Sequence, residues 1–184
     1  MRFLSPEMQK KLRQFKRNKI AFGSLCALLV MYAFSLLSPW LVNDEPLIFD
    51  DFAHNPDGIK ATISETLKLL PENQTLYVVC AIRGSRGVEI NELNVEALVE
   101  SMDDNIELIL SSSNDVVNNL NWVNDDEREV FFDVLGKNNV DYIHYDDLKD
   151  CLSEVYKKAD KKDIILLIGA QGMDPAESLL NDIK

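Results

Sequence analysis

Little in this chain of 184 residues is arranged to hold a metal or a disulfide. It has three cysteines and two histidines, and Cys26, Cys80 and Cys151 share no spacing that would make a zinc site or a disulfide framework. They read instead as buried free thiols. A phosphate loop of the G-x-x-x-x-G-K-[ST] kind is missing; Gly136-Lys137 lacks the preceding glycine and follows an amphipathic pattern. After residue 47 no apolar run approaches the roughly 18 residues of a membrane span. Positive charge is scarce beyond residue 42. Residues 1–42 hold seven Lys/Arg and one acid, residues 43–184 twelve and thirty, for a formal net charge of −12. So acidic a domain excludes tracking of a nucleic-acid backbone, which needs positive surface, and no nucleic-acid partner is expected. Repeats and low-complexity tracts are also missing.

What is there falls into segments. Residues 1–19 form a basic segment with Arg2, Lys10, Lys11, Arg13, Lys16, Arg17 and Lys19. Residues 20–42, IAFGSLCALLVMYAFSLLSPWLV, are uncharged and match the roughly 20 residues that cross a bilayer as a helix. A signal peptide has a shorter apolar core and a small-residue cleavage site. The expectation is a single-pass membrane protein, with the basic segment cytoplasmic and residues after 42 outside by the positive-inside rule.

Residues 43–184 alternate short apolar runs with helical patterns. Strands are expected at Leu47–Phe49, as one buried strand, and at Leu76–Ile82, Ile106–Leu110, Tyr142–Tyr145 and Ile164–Ile168. Helical stripes follow at Ile59/Ile63/Leu67/Leu70, Ile90 to Met102, Val130 to Leu135 (closed by Gly136), Leu148 to Ala159 and Ala176 to Ile183. This alternation predicts an α/β fold, a Rossmann-like, doubly wound, mostly parallel sheet with helices on both faces. Ligands of such sheets gather beyond the C-terminal strand ends.

Three loops leave those ends. In the first, Asp51 to Gly58, Asn55 suits an N-cap and Pro56 a first helical residue. A strand then delivers Asp51 and His54 to a helix tip, where free N–H groups and the dipole suit a phosphate. The plainer alternative is local: Asp51 ends a strand, His54 is a turn residue and Asn55 only caps. The second loop, Arg83-Gly84-Ser85-Arg86-Gly87, combines two glycines with two arginines able to hold an anion. The third, Gly169 to Pro175, offers Gly172 for a tight turn and Asp174 for an ammonium or a helix cap. His144 reads as structural, residues 114–124 with Trp122 as a surface loop, and Asn73-Gln74-Thr75 as a glycosylation sequon usable only in an exported eukaryotic chain.

Asp51-Phe52-Ala53-His54-Asn55-Pro56 resembles the D-[YFG]-A-H-N-P motif that opens the C-terminal domain of the Mur ligases, shared with folylpolyglutamate and cyanophycin synthetases. The resemblance runs from about Leu47 to the end of the chain. It implies ATP-dependent joining of an amino acid to a carboxylate, as in peptidoglycan precursor synthesis. Asp51, His54 and Asn55 would help hold ATP, with Mg²⁺ possible. Arg83 and Arg86 lie where the family has a Gly-rich Asp-Arg loop, although Ser85 stands where Asp is expected. Gly172 and Asp174 lie where it has a loop near the amino-acid substrate.

Leu4-Ser5-Pro6, Phe15-Lys16-Arg17-Asn18-Lys19, the apolar run and Asn43-Asp44-Glu45-Pro46-Leu47 resemble the N-terminus of a peptide ABC transporter permease subunit. The two resemblances imply different things. The first, lacking the family's central ATP-binding domain, implies a ligase domain inactive unless a separate chain supplies that domain. The second implies a membrane-anchored, non-catalytic interaction module with transporter subunits as partners. The charge rule puts the α/β domain outside, whereas ATP use would put it in the cytoplasm.

Overall fold

The computed structural model describes residue 15, residues 18–41 (side chains as far as residue 32) and residues 45–183. Most of the basic segment, from Arg2 through Lys11, Arg13, Lys16 and Arg17, lies outside the described residues. The chain divides into two compact units, residues 1–43 and 44–184.

In the first unit, helix α1 runs Lys19–Leu41, where the sequence predicts a helix over 20–42. Asn18 opens it, its Oδ1 accepting from Ala21 N at 3.2 Å. Its described apolar side chains are exposed on every face; Ile20, Leu28, Met31 and Tyr32 are 62–83 % exposed. Among the described residues no helix is long and apolar enough to cross a membrane. The spanning helix is therefore not carried by the structure itself.

In the second unit, five runs form one sheet. They are β1 (Leu47–Asp51), β2 (Leu76–Ala81), β3 (Ile106–Ser111), β4 (Tyr142–Tyr145) and β5 (Ile164–Ile168). The order is β1-β5-β2-β3-β4, and every pairing is parallel. The helices between them are α2 (Pro56–Leu67), α3 (Val88–Glu100), α4 (Asp125–Lys137), α5 (Leu148–Lys158) and α6 (Ala176–Ile183). Successive strand side chains point to opposite faces, so the three inner strands, β5, β2 and β3, each bury two sets. Val78, Cys80, Leu108, Leu110, Leu166 and Ile168 pack with Ile59, Ile63, Leu98 and Phe131 of α2–α4. Tyr77, Val79, Ile109, Ile165 and Leu167 pack with Leu148, Leu152, Val155 and Leu180 of α5 and α6. Complete burial of one such aliphatic side chain stabilises by about 1.5–3 kcal/mol.

Two local expectations change. Leu47–Phe49 is not a buried strand: β1 is a sheet edge with Leu47 57 % and Phe49 37 % exposed. Return of β5 between β1 and β2 leaves β1 with one neighbour, which its own sequence does not encode. Gly136 does not close α4. The helix continues to Lys137 with Asn138 as C-cap, and Asn139 takes the left-handed position at φ 54°. Val140 N and Asn139 N return to the Leu135 and Gly136 carbonyls, the bonds of a Schellman turn.

The switch in winding positions the candidate site. The helices after β1 and β2 lie on one face, and the helix after β5, which sits between those strands, lies on the other. The loops diverge there, and a crevice at the C-terminal strand ends follows.

Candidate functional site

The β1–α2 turn is built as its sequence suggests, and that commits its donors. Asn55 is the N-cap of α2, extended at φ −135°, ψ 160°, with Pro56 beginning the helix. Its Oδ1 accepts from Gly58 N at 2.9 Å. His54 turns back on the loop: Nδ1 donates to the Phe52 carbonyl at 2.6 Å, and the ring meets Phe52 edge-on at 4.8 Å. A carbonyl only accepts, so Nδ1 carries a proton. Asp51 is exposed and lines a hollow with Phe49, Ala61, Thr62, Glu65 and Leu69, on the α2 side of the edge strand. Its neighbour Asp50 borders that hollow too, and also lies with Phe52, Gly169, Ala170, Met173 and Asp174 in a hollow of about 300 Å³. Strand alternation separates the two carboxylates.

The β2–α3 loop meets this turn. Arg83 Nη1 donates to the His54 carbonyl at 3.3 Å, and Asn94 Nδ2 donates to the same oxygen at 3.2 Å. Asn91, fully buried, donates through Nδ2 to the carbonyls of Arg83 (2.8 Å) and Gly87 (3.2 Å). Burial, and then the Arg86 cation nearby, pull the Arg83 pKa below its ordinary value. Arg86 is exposed, and among the described residues no carboxylate pairs with its guanidinium. Gly84 is required by a close approach, because a Cβ there would lie 2.1 Å from the Asn121 carbonyl and 2.4 Å from Trp122. Residues 121–123 are thus packed onto the site. Val123 is 2 % exposed, although Trp122 itself is 47 % exposed.

Three backbone donors of this loop are already taken. Glu127, 1 % exposed, accepts from Ser85 N at 3.0 Å through Oε2, and from Arg86 N and Gly87 N at 2.8 Å each through Oε1. It also completes a capping box with Asn124 at the start of α4. Its pKa is lowered. Burial alone opposes the charged form, and the four N–H donors of Gly87, Ser85, Asn124 and Arg86 outweigh it. A second carboxylate does similar work nearby, where Asp115 accepts from Leu148 N at 2.8 Å and Lys149 N at 3.3 Å at the start of α5.

The β5–α6 loop packs on β2 and on the end of β3. A Cβ on Gly172 would lie 3.1 Å from Ala81 Cβ and 3.2 Å from Ser113 Cβ. Asp174 borders the Asp50 hollow and a second of about 460 Å³ lined by Val116, Val117, Asn118, Asn121, Gln171 and Pro175. The Asp50 pKa is raised, by burial first and then by Asp174, Asp51 and Glu177. His144 is structural in its contacts: Nε2 shares a 2.8 Å hydrogen bond with Ser112 Oγ, and Phe132 meets its ring edge-on.

The structure therefore joins the His54 backbone to Arg83, places the Arg86 charge near Arg83, and joins Asp174 to Asp50. It leaves Asp51 on another face, and commits Asn55 to its own helix. Glu127, Asn91, Asn94, Asp115 and Asp50 were not singled out from sequence. Only Asn124-x-x-Glu127 carried a readable signal, that of a capping box.

A doubly wound parallel sheet with polar loops clustered at its C-terminal edge defines a Rossmann-like α/β domain. The Mur ligase glutamate ligase domain family matches residues 40–171. The chain belongs to this Mur ligase C-terminal domain family. Residues 8–59 also match the N-terminal transmembrane domain of oligopeptide transport permease C. No curated protein matches the chain in sequence.

Similar solved structures include a UDP-N-acetylmuramoyl-L-alanyl-D-glutamate–2,6-diaminopimelate ligase (21 % identity, TM-score 0.52, 77 % of this chain and 30 % of that one). A bifunctional folylpolyglutamate synthase/dihydrofolate synthase from Yersinia pestis, solved with AMPPNP and Mn ion, is 15 % identical (TM-score 0.55, 76 % and 30 %). A murein peptide ligase from Psychrobacter arcticus is 17 % identical (TM-score 0.54, 77 % and 28 %). At these identities the likeness is one of fold, and this chain spans under a third of each.

Proposed function

We propose that the α/β unit is the amino-acid-adding part of an ATP-dependent acid–amino acid ligase, working with a central ATP-binding domain. The observation that carries this is the charge division across the crevice. The β2 loop presents Arg83 and Arg86, and the β5 loop presents Asp174 beside Asp50. Ligation brings an anion, a phosphorylated carboxylate, to an amine, and the two loops offer opposite charges for those two reactants.

ATP fits the site in one respect only. Two like-charged guanidinium groups, close enough for one to depress the other's pKa, gain from a phosphoryl anion between them. The loop's Ser85, Arg86 and Gly87 N–H groups are held by Glu127, and Asn55 holds Gly58 N. Arg83 and Arg86 would therefore carry the phosphoryl contacts, with His54 Nε2 an added polar neighbour. Among the described residues no cluster of His, Cys, Asp and Glu could hold a metal, so Mg²⁺ would arrive on the nucleotide's own phosphates. Asp174, with Gly172 shaping its loop, would receive the ammonium. The added amine and peptidoglycan precursor synthesis belong to this reading.

Calorimetry of AMPPNP–Mg²⁺ with the full chain tests it. Arg86→Ala should weaken binding about tenfold, the scale of a lost charge-assisted contact. Equal affinity in mutant and wild type would sink the ATP reading.

The permease match supports a second reading, a membrane-anchored interaction module without catalysis. The described side chains of helix α1, apolar and exposed, suit lipid, and residues 20–42 would cross the bilayer once with the N-terminus cytoplasmic. Co-purification with transporter subunits favours this reading. Amide formation on adding a separate Mur ligase ATP-binding domain excludes it.

A further inference from the structure

One role of Glu127 is visible from its helix alone: it reaches back to Asn124 N at 3.2 Å and closes the capping box of α4. That bond uses one acceptor position. The other three bonds go to a different part of the chain, 40 to 42 residues earlier, at Ser85 N, Arg86 N and Gly87 N. Those donors converge because the loop has a nest-like conformation, with Ser85 at φ 57° and Gly87 at φ 88°. Nests of this kind hold anions. Here the anion is the protein's own, and both carboxylate oxygens accept two bonds. A glutamine could not substitute, since it has one oxygen and its NH₂ would face N–H groups.

We propose that Glu127 is the positioning residue of the cationic loop. Its ionised carboxylate holds the backbone of Ser85, Arg86 and Gly87 so that Arg83 and Arg86 are presented together to a polyphosphate anion. The inference rests on the reading of Arg83 and Arg86 given above. It adds a division of labour: the backbone nest is reserved for an internal carboxylate, and the ligand is left to the side chains. Packing of Gly84 under Asn121 and Trp122 holds the loop from the other side.

The test uses the full chain in detergent, inorganic tripolyphosphate as the probe, and amide hydrogen exchange at Ser85, Arg86 and Gly87. Glu127→Gln should weaken tripolyphosphate binding about tenfold and speed exchange at the three amides. The double variant Glu127→Gln/Arg86→Ala should lose less affinity than the two single losses combined, because both changes act on the Arg86 contact. Asn124→Ala, which removes the cap on the same helix but none of the three loop bonds, should leave affinity unchanged. In the wild type, protection of the three amides should fall on acidification through the lowered Glu127 pKa, before global unfolding; this profile needs no variant to fold. Wild-type affinity in Glu127→Gln, equal weakening in Asn124→Ala, or acid-insensitive protection overturns the proposal. A wild type that binds no tripolyphosphate overturns the arginine site itself, and this inference with it.

Discussion

The two loops that meet at the His54 carbonyl solve one problem in opposite ways. Each stands at the start of a helix, where backbone N–H groups lack intrahelical partners. In the β1–α2 turn the partner is three residues away, Asn55 for Gly58. In the β2–α3 loop it is Glu127, some 40 residues on and carried by a different helix. A helix start that looks open to phosphate in the sequence can thus be closed from within, and only a local closure is visible beforehand. The difference also decides what is left for a ligand: nothing from the nest, and the guanidinium groups from the side chains.

Substitutions can sharpen this contrast. The largest effect is expected for Glu127→Ala, which strands three loop donors and one helix donor and should destabilise the α/β unit by about 3–4 kcal/mol in urea unfolding. Acid should expose the same dependence. The folded-state pKa of Glu127 lies below its ordinary value of 4.5. The stability it contributes is therefore complete above about pH 4.5 and is lost as pH falls through the lowered value. Glu127→Gln should flatten that part of the acid-unfolding profile; an unchanged profile would mean the carboxylate carries no linkage. Gly84→Ala comes next, at about 2–3 kcal/mol, because its Cβ would meet backbone and not a movable side chain. Asn55→Ala removes a local cap and should cost about 1 kcal/mol, read by thermal unfolding. Gly58→Ala should change stability by no more than about 0.5 kcal/mol, since the nearest atom is the Asn55 side chain at 3.3 Å and the residue is helical. A reversed order of Gly84 and Gly58 would break the comparison.

Much of the fold was legible because it rests on periodicity. Continuous apolar runs such as Ile164–Ile168 read as parallel strands, and stripes such as Leu148/Cys151/Leu152/Val155 as helices, since burial on a fixed face leaves a fixed spacing. The helix starts at Pro56 and Asp125 carried cap residues within three positions. Less of the site was legible. Asp50 and Asp51 are interchangeable by composition, and strand pleating alone places the first in the Gly169 hollow and the second on the α2 side. The exposed state of β1 followed from strand order, and the helix stop at Asn139 replaced the more obvious Gly136.

By itself, then, the sequence determined which segments become strands and helices, the family they belong to, and the contrast between a basic, apolar N-terminal segment and an acidic domain. These properties depend on neighbours within a few residues. The tertiary structure alone decided that β1 lies at an edge, that Arg83 and His54 share a hydrogen bond, and that Glu127 fills the nest of residues 85–87. Those contacts join positions 29 to 117 residues apart, and no local pattern records which distant group will satisfy a buried donor.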